Sequence, residues 1–376
     1  MRVFVAVDSF KGSLSSMQAG NAVKEAVLLA DTRADVTVHP IADGGEGTVE
    51  AVCAAVGGKL AEVTVAGPLG EPIRAQYGIL PGNVAVLEMS AAAGITLIPA
   101  ELRNPMKTTT FGVGEMIKDA IFHGCRHFIV GIGGSATNDG GVGMLSALGF
   151  RFWDKNGNQI PLGAAGLEKL VLISTENVLS ELQECTFRVA CDVSNPLCGE
   201  NGCSAVYGPQ KGADDDVIRK MDAWLENYAS LAAGISDKAD KTYPGAGAAG
   251  GLGFAFLSFL NAKLESGIQI ILDETKAEQY IREADIVVTG EGRLDSQSVM
   301  GKAPIGVAKL AKKYGKKVIA FSGCIGEDAS VCNQHGIDAF FPIIPGVVTL
   351  QEAMDSENAY RNLRNMACQV FRLICT

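Results

Sequence analysis

The sequence predicts an α/β protein in which a parallel-sheet domain, formed by both ends of the chain, is interrupted by an inserted domain with a mixed sheet. Near both ends, short apolar segments alternate with helical patterns, which is typical of parallel strands joined by helices. In between, apolar segments are separated by short turns that contain glycine and proline, which indicates antiparallel pairing. A chain of 376 residues also exceeds the size at which a single core stops growing. We therefore expect the outer domain at residues 1–64 and 280–376, and the inserted domain at residues 65–279.

The chain begins with a strand and a helix. Val3–Val7 is an unbroken run of β-forming apolar residues, as expected for a strand buried on both faces of a sheet. Ser15 and Gln18 have the spacing of a capping box, which predicts a helix from about residue 16. A second strand, Val36–Ile41, precedes a glycine-rich loop and a second helix that ends at Gly57.

The alternation of strands and helices gives way to closely spaced strands after residue 60 and resumes near residue 284. The segments that predict an antiparallel meander are Glu62–Val65, Ile73–Ile79 and Val84–Met89. A further hairpin is expected around Asn156–Asn158. The segments that predict a return to parallel strands and helices are the strand Ala284–Thr289, a helix from about Pro304 to Tyr314, the strand Lys317–Phe321 and a helical segment over Leu350–Ile374.

Composition and charge exclude several classes of protein. The chain contains 45 glycines without a Gly-X-Y period, which excludes collagen and directs attention to the loops where the glycines lie. The net charge of −10 repels nucleic acid and anionic membranes, so we expect neither as a partner. No apolar segment is long enough to span a bilayer and the amino terminus lacks a signal-peptide core, so we expect a cytoplasmic protein.

Neither the cysteines nor the histidines predict a metal site. None of the 10 cysteines forms a C-x-x-C pair, and we expect most of them to be small buried side chains. His123 and His127 have the spacing of a metal-binding pair on a helix, but Gly124 lies between them and an apolar run follows. A junction between a helix and a strand explains this pair better than zinc does.

Three polar loops follow predicted parallel strands of the outer domain. Open α/β sheets bind ligands at the carboxyl ends of their strands. The candidate residues are Asp8, Ser9 and Lys11 in the first loop, Asp43 and Glu46 in the second, and Glu291, Arg293 and Asp295 in the third. Such residues also form turns that have no function, but three such loops at one sheet edge favour a ligand site. Charges of both signs are present, as an anionic substrate together with Mg²⁺ requires.

The inserted domain contributes two glycine clusters. The first joins the apolar run 128–132 to a predicted helix, and its candidate phosphate-binding residues are Gly133, Gly134, Ser135, Ala136, Thr137 and Asn138. A close packing turn between strand and helix is the alternative. The second cluster, Gly245–Gly253, matches G-x-G-x-x-G, but a polar segment precedes it where a dinucleotide site needs a strand.

Two further residues lie between these clusters. Asp192 ends an apolar strand, which makes it a candidate general base or Mg²⁺ ligand, and Lys211 is a candidate to bind a phosphate or a carboxylate; an Asx turn and a solvated lysine are the alternatives. The chain has no P-loop motif because Ala303 follows Gly301–Lys302. Protein-kinase motifs and the G-x-S-x-G motif of hydrolases are also missing.

Six segments, taken in order along the chain, carry a family resemblance. They are Asp8–Ser15, Ala42–Thr48, Gly131–Gly141, Asp192–Leu197, Tyr207–Ala213 and Gly290–Asp295. Together they resemble the bacterial glycerate kinases of the class that is unrelated to P-loop or actin-like kinases. The resemblance extends over essentially the whole chain, and none of the six segments departs from the family pattern.

The resemblance implies ATP-dependent phosphorylation of D-glycerate with Mg²⁺, in a flavodoxin-like domain interrupted by a second α/β domain. Members of this class are generally taken to form 2-phosphoglycerate, while some are assigned the 3-phosphate. Asp8, Ser9, Lys11, Glu46, Lys211, Glu291 and Asp295 are then expected to bind the substrate. The segment 133–138 is expected to hold the phosphates of ATP.

Catalytic roles are expected for Lys11, Asp192, Arg293 and Asp43, and Asp295 is a further candidate. Lys11 and Arg293 are expected to contact the glycerate carboxylate or the phosphoryl group in transfer. Asp192 is expected to orient or deprotonate the hydroxyl group, with Asp43 or Asp295 as the alternative or as a Mg²⁺ ligand.

Two other functions remain open at this point. An NAD(P)-dependent oxidoreductase would use Gly131, Gly133 and Ala136 as its pyrophosphate turn and would need an acidic residue at the end of a strand about 20 residues on, where a hairpin is predicted instead. A non-catalytic sensor of sugar acids or nucleotides would keep the pocket but would not need so many charged groups at the strand ends.

Overall fold

The computed structural model describes residues 1–376, which form two compact units. Unit 1 comprises residues 1–43, 50–57 and 266–376, and unit 2 comprises residues 44–49 and 58–265. The strands are β1 (Arg2–Val7), β2 (Asp35–Val38), β3 (Lys59–Ala66), β4 (Pro72–Leu80), β5 (Val84–Glu88), β6 (His127–Gly131), β7 (Arg151–Trp153), β8 (Leu172–Ser174), β9 (Thr186–Ala190), β10 (Lys263–Glu265), β11 (Ile286–Leu294), β12 (Lys317–Ile325) and β13 (Ala339–Pro342).

Helices follow most of these strands. They are α1 (Ser16–Ala30), α2 (Thr48–Val56), α3 (Ser90–Ala93), α4 (Phe111–Phe122), α5 (Val142–Ala147), α6 (Cys203–Tyr207), α7 (Asp215–Ala233), α8 (Ala248–Phe259), α9 (Gly267–Glu274), α10 (Ala277–Glu283), α11 (Ala303–Lys313), α12 (Val331–Gln334), α13 (Leu350–Met354) and α14 (Ser356–Cys375). None of them is both long enough and apolar enough to cross a membrane.

Unit 1 contains a five-stranded sheet in which every neighbouring pair is parallel. Its order is β13-β12-β11-β1-β2, which is the 2-1-3-4-5 order of flavodoxin-like folds when the strands of this unit are counted alone. Alternate residues of β1 face the two sides of the sheet. Val3, Val5 and Val7 pack with apolar residues of α1 and α14, while Phe4 and Ala6 pack with those of α9, α10 and α11. The predicted flavodoxin-like fold is therefore confirmed.

Unit 2 contains a six-stranded mixed sheet of order β10-β9-β6-β5-β4-β3. The pairs among β10, β9, β6 and β5 are parallel, whereas β5, β4 and β3 form an antiparallel meander, as the sequence predicted. The centre of the sheet is apolar on the face where the rings of Phe128 and Phe187 stack, with 4.8 Å between their centroids. Strands β7 and β8 form a separate two-stranded sheet.

Several local predictions are confirmed and the end of one strand needs correction. The capping box of Ser15 and Gln18 is present at the start of α1. The second strand ends at Val38 instead of Ile41, because Pro40 has no N–H to donate and the Ile41 N–H donates to Ser16 Oγ at 2.9 Å. The predicted hairpin around Asn156–Asn158 is confirmed by an antiparallel bridge between Trp153 and Gln159, and β7 also pairs with the later strand β8.

The boundaries between the units also differ from the predicted 64/65 and 279/280. Strand β3 begins at residue 59 and pairs along its whole length with β4, so it belongs to unit 2. Helices α9 and α10 contribute Ile268, Leu272 and Ile281 to the core of unit 1, so that unit resumes at residue 266. Pairing and packing at these positions depend on distant residues, and local sequence patterns do not reveal them.

Candidate functional site

The carboxyl edge of the unit 1 sheet brings together the first and third polar loops. Val7 of β1 is paired in register with Gly290 of β11, and the Asp8 N–H donates to the Gly290 carbonyl oxygen at 2.9 Å. Strands β1 and β11 lie side by side. The chain continues from β1 to β2 on one flank and from β11 to β12 on the other, so the strand order reverses between β1 and β11. Ligands of open α/β sheets bind at such a reversal of strand order.

Asp8 is a buried carboxylate at this reversal point. Only 5% of its surface is exposed, and its Oδ1 accepts a hydrogen bond from the Ser9 N–H at 2.6 Å. Burial, and then the negative charge of Asp43, raise the pKa of Asp8 to about 7. The carboxylates of Asp8 and Asp43 therefore repel each other in the absence of a cation.

Glu291 lies on the neighbouring strand and is held by two partners. Its carboxylate accepts hydrogen bonds from Ser298 Oγ and, at 3.4 Å, from Lys302 Nζ. Burial raises the pKa of Glu291, and these two partners oppose that shift. Lys302 directly precedes α11 and its side chain makes no capping hydrogen bond there, so the ion pair with Glu291 holds its ammonium group at the sheet edge.

Arg293 is largely exposed and is oriented by Asp295. The Arg293 Nε donates to Asp295 Oδ2 at 2.9 Å, and the Gln297 N–H donates to Asp295 Oδ1 at 2.9 Å. The Arg293 side chain is 64% exposed, whereas that of Asp295 is 13% exposed. Both oxygens of Asp295 are thus engaged, and the residue serves to place the guanidinium group of Arg293.

A cavity of about 360 Å³ occupies this part of unit 1. The candidate residues that line it are Asp8, Ser9, Lys11, Asp43, Glu291 and Arg293. Lys302 lines it as well, whereas Asp295 does not line it and Glu46 belongs to unit 2. Seven polar groups from three chain segments therefore share one cavity.

The carboxyl edge of the unit 2 sheet has a separate set of groups. Gly131 of β6 is in register with Glu88 of β5 and with Ala190 of β9. Asp192 lies two residues after Ala190 and is exposed. Glu88 accepts a hydrogen bond from the Val49 N–H at 2.8 Å, so it holds the start of α2 at this edge. Sequence reasoning missed Glu88, although a carboxylate that ends an apolar run is the signal that selected Asp192.

Gly131 is glycine because the backbone of the 44–47 loop passes directly over it. A Cβ atom at this position would lie 2.2 Å from the Gly44 carbonyl oxygen, far inside van der Waals contact. At Gly133 the nearest atom to such a Cβ would be Gly45 Cα at 3.7 Å, an ordinary contact distance. Glycine is therefore required at position 131 by the close approach of the backbone, while position 133 has room for a Cβ atom.

The predicted phosphate-binding segment is only partly accessible. Gly133 and Gly134 are exposed, whereas Ser135, Ala136, Thr137 and Asn138 are buried. A ligand at this segment would therefore meet the backbone of the two glycines.

Buried polar side chains support this segment from behind. Lys211 is 2% exposed, and its Nζ donates to the Thr137 carbonyl oxygen at 2.6 Å. Asn138 Nδ2 donates to Ser204 Oγ at 2.9 Å. Asp139, which the sequence analysis did not select, accepts hydrogen bonds from the N–H and hydroxyl groups of Thr110 at 2.8 and 2.9 Å. Lys211 is thus an internal support of the loop in this structure.

Comparison with known proteins gives consistent results. A sequence model described as the Glycerate kinase family matches residues 3–375. "Glycerate kinase" of Bacillus subtilis (strain 168) is 45% identical over 373 residues, which are 98% of each chain. "Glycerate 2-kinase" of Escherichia coli (strain K12) is 46% identical over 98% of this chain and 97% of that one.

A solved structure is similar over the whole chain. The crystal structure of a Salmonella typhimurium LT2 protein, assigned as a glycerate kinase 2, superimposes with a TM-score of 0.91 at 43% identity. The superposition covers 100% of this chain and 98% of that one.

Together with the charged cavity, these matches define a kinase, a phosphotransferase that acts on a hydroxyl group. The chain belongs to the glycerate kinase family. Its reaction therefore requires ATP as co-substrate, in agreement with the resemblance carried by the six sequence segments.

Proposed function

We propose that this protein phosphorylates D-glycerate with ATP and forms 2-phosphoglycerate. The proposal is supported by the relatives named above, one of which is a glycerate 2-kinase. The observation that carries it is the cavity at the reversal point of the unit 1 sheet, where Lys11, Arg293 and Lys302 accompany buried carboxylates. Cations in such a position suit a small carboxylate and a phosphoryl group in transfer.

The reaction transfers the γ-phosphoryl group from ATP to an alcohol. The bond between the γ-phosphorus and the bridging oxygen breaks and its electrons remain on ADP, while a new bond forms between phosphorus and the C2 oxygen of glycerate. Lys11 and Arg293 lower the barrier by neutralising charge on the phosphoryl oxygens or the glycerate carboxylate. Asp295 contributes by holding Arg293 in place through the 2.9 Å contact with its Nε.

The proton of the attacking hydroxyl group needs an acceptor. We assign this role to Asp192, because it is an exposed carboxylate directly after a parallel strand, at the edge where the 133–138 segment also begins. The exposed backbone at Gly133 and Gly134 is our candidate to hold oxygens of the γ-phosphate alone, as N–H groups of glycine-rich turns do.

Mg²⁺ fits the carboxylates of the unit 1 cavity. No three His, Cys, Asp or Glu side chains are grouped as a complete metal site, but Mg²⁺ commonly binds through one or two carboxylates together with substrate phosphates and water. Burial, and then the negative charge of Asp43, raise the pKa of Asp8, and a cation beside these two carboxylates would relieve their repulsion. Asp295 fits less well because both of its oxygens are engaged. Bound Mg²⁺ would neutralise charge on the phosphates.

The substrate claim is tested by ADP release. The purified protein with Mg-ATP should release ADP when D-glycerate is added, and much more slowly with L-glycerate or glycolate at the same concentration. Release with another hydroxy acid but not with D-glycerate would overturn the proposed substrate. Slow release without any acid measures ATP hydrolysis and is subtracted.

A further inference from the structure

The cavity of unit 1 has two chemically different sides. The polar side contains the loops after β1 and β11, together with Lys302. A second wall comes from the carboxyl-terminal part of the chain, and its apolar members are Ile343, Ile344, Leu350, Ala353, Met354 and Ala359. The proposed reaction at the charged groups makes no use of this second wall.

The size of the cavity exceeds what glycerate needs. Pockets of roughly 300 to 1,000 Å³ hold ligands of the size of a drug molecule, and this cavity measures about 360 Å³. A three-carbon acid with two hydroxyl groups and a carboxylate would fill a small part of it and would have no apolar surface to place on the wall. The wall is therefore suited to a larger ligand with an apolar face.

Two members of the apolar wall are exposed, whereas Ile343 and Ala359 are buried. Leu350 is 78% exposed and Met354 is 39% exposed. Both belong to the short helix α13, which begins with the capping box of Thr349 and Glu352. Apolar side chains that a fixed helix presents to a cavity gain free energy when a ligand covers them.

We propose that the nucleoside part of ATP binds against this wall, with its phosphates directed to Lys11, Arg293 and Lys302. The placement rests on the proposed function, because it takes ATP as the second substrate. A purine ring has two apolar faces for Leu350 and Met354, and the thioether chain of methionine adapts well to a flat ring.

Two further features of the cavity suit a nucleoside triphosphate. The side-chain amide of Asn362, which also lines the cavity, has the donors and the acceptor that a purine edge requires. Lys302 stands at the amino terminus of the 11-residue helix α11, where the helix dipole adds to the attraction for phosphate. The purine of the ligand would thus contact the apolar wall, and its phosphates would contact the charged residues.

Calorimetric binding of ADP tests this placement with two matched variants. Leu350→Ser removes an apolar side chain from the wall, and Leu373→Ser removes one from α14 that is also 78% exposed but does not line the cavity. We expect Leu350→Ser to weaken ADP binding about tenfold, whereas Leu373→Ser stays within twofold of the wild type. Equal ADP affinities for all three proteins would overturn the proposal.

The cysteines of the chain provide a second test that does not depend on activity. Cys324 is exposed and lines the cavity, whereas Cys375 is exposed at the end of α14. Adenosine, which carries no phosphate, should slow alkylation of Cys324 by iodoacetamide and leave that of Cys375 unchanged, as measured by peptide mass spectrometry. Slower alkylation of Cys324 with D-glycerate but not with adenosine would assign the cavity to the acid and overturn the proposal.

Failure of this placement can be told apart from failure of the proposed function. If the wild-type protein converts D-glycerate but the Leu350 variant binds ADP normally, only the nucleoside placement is wrong. If the wild-type protein binds ADP at this wall but does not convert D-glycerate, the nucleoside placement stands and the proposed substrate is wrong.

Discussion

The buried ammonium group of Lys211 makes the stability of the protein depend on pH in a defined direction. Burial lowers the pKa of Lys211 to about 8 from its ordinary value of 10.5. Since one pKa unit corresponds to about 1.4 kcal/mol, the charged form costs the folded state about 3 kcal/mol relative to the unfolded chain at neutral pH. Between pH 8 and 10.5 the unfolded state binds more protons at this residue than the folded state does. The free energy of unfolding contributed by Lys211 therefore rises with pH in this range.

Lys211→Met isolates this contribution. Other groups titrate in the same range, but they do so in both proteins, so the difference between the two unfolding free energies reports on Lys211. We expect the wild type to gain roughly 2 to 3 kcal/mol relative to the variant between pH 7 and pH 10. Urea denaturation followed by circular dichroism at several pH values measures this difference.

The matched control is Lys24→Met, which removes an ammonium group from an exposed position of α1. A difference between wild type and Lys211→Met that stays constant within about 0.5 kcal/mol from pH 7 to pH 10 would refute the reasoning. It would mean that the ammonium group of Lys211 is not desolvated in the folded protein.

Three further outcomes follow from the same structure. Gly131→Ala should destabilise unit 2 by about 2 kcal/mol or more because its Cβ would meet the Gly44 carbonyl oxygen at 2.2 Å, while Gly133→Ala should keep near-native stability; equal melting temperatures would contradict this. Lys11→Ala should lower turnover by at least about a hundredfold, and near-wild-type turnover would remove Lys11 from the reaction. Asp192→Asn should abolish most activity with an unchanged circular dichroism spectrum, and an unaltered rate would place the base elsewhere.

The sequence predicted the features that depend on local pattern. The capping box at Ser15, the buried strand Val3–Val7 and the antiparallel meander are each determined by residues that are near one another in the chain. The six motif segments also located the charged loops, because parallel strands place their carboxyl ends at one sheet edge. Asp8, Lys11, Asp43 and Arg293 indeed line one cavity.

Burial and long-range packing could not be predicted from the sequence. Lysine, threonine and asparagine in a glycine-rich motif suggest groups that face a ligand, yet Lys211, Thr137 and Asn138 are enclosed by tertiary packing. The apolar wall at Leu350 lies more than three hundred residues after Lys11 along the chain, and no periodicity relates the two. The burial of the first three residues and the place of Leu350 at the cavity can be recognised only once the fold brings distant segments together.

The chemical structure of the product tests the proposed reaction directly. D-glycerate and Mg-ATP are incubated with the protein, and the product is examined by phosphorus NMR with coupling to protons. We expect a phosphorus signal coupled to the single proton on C2, which identifies 2-phosphoglycerate. Coupling to the two protons on C3 would contradict the proposed regiochemistry, and the absence of any new phosphate ester would contradict the proposed reaction.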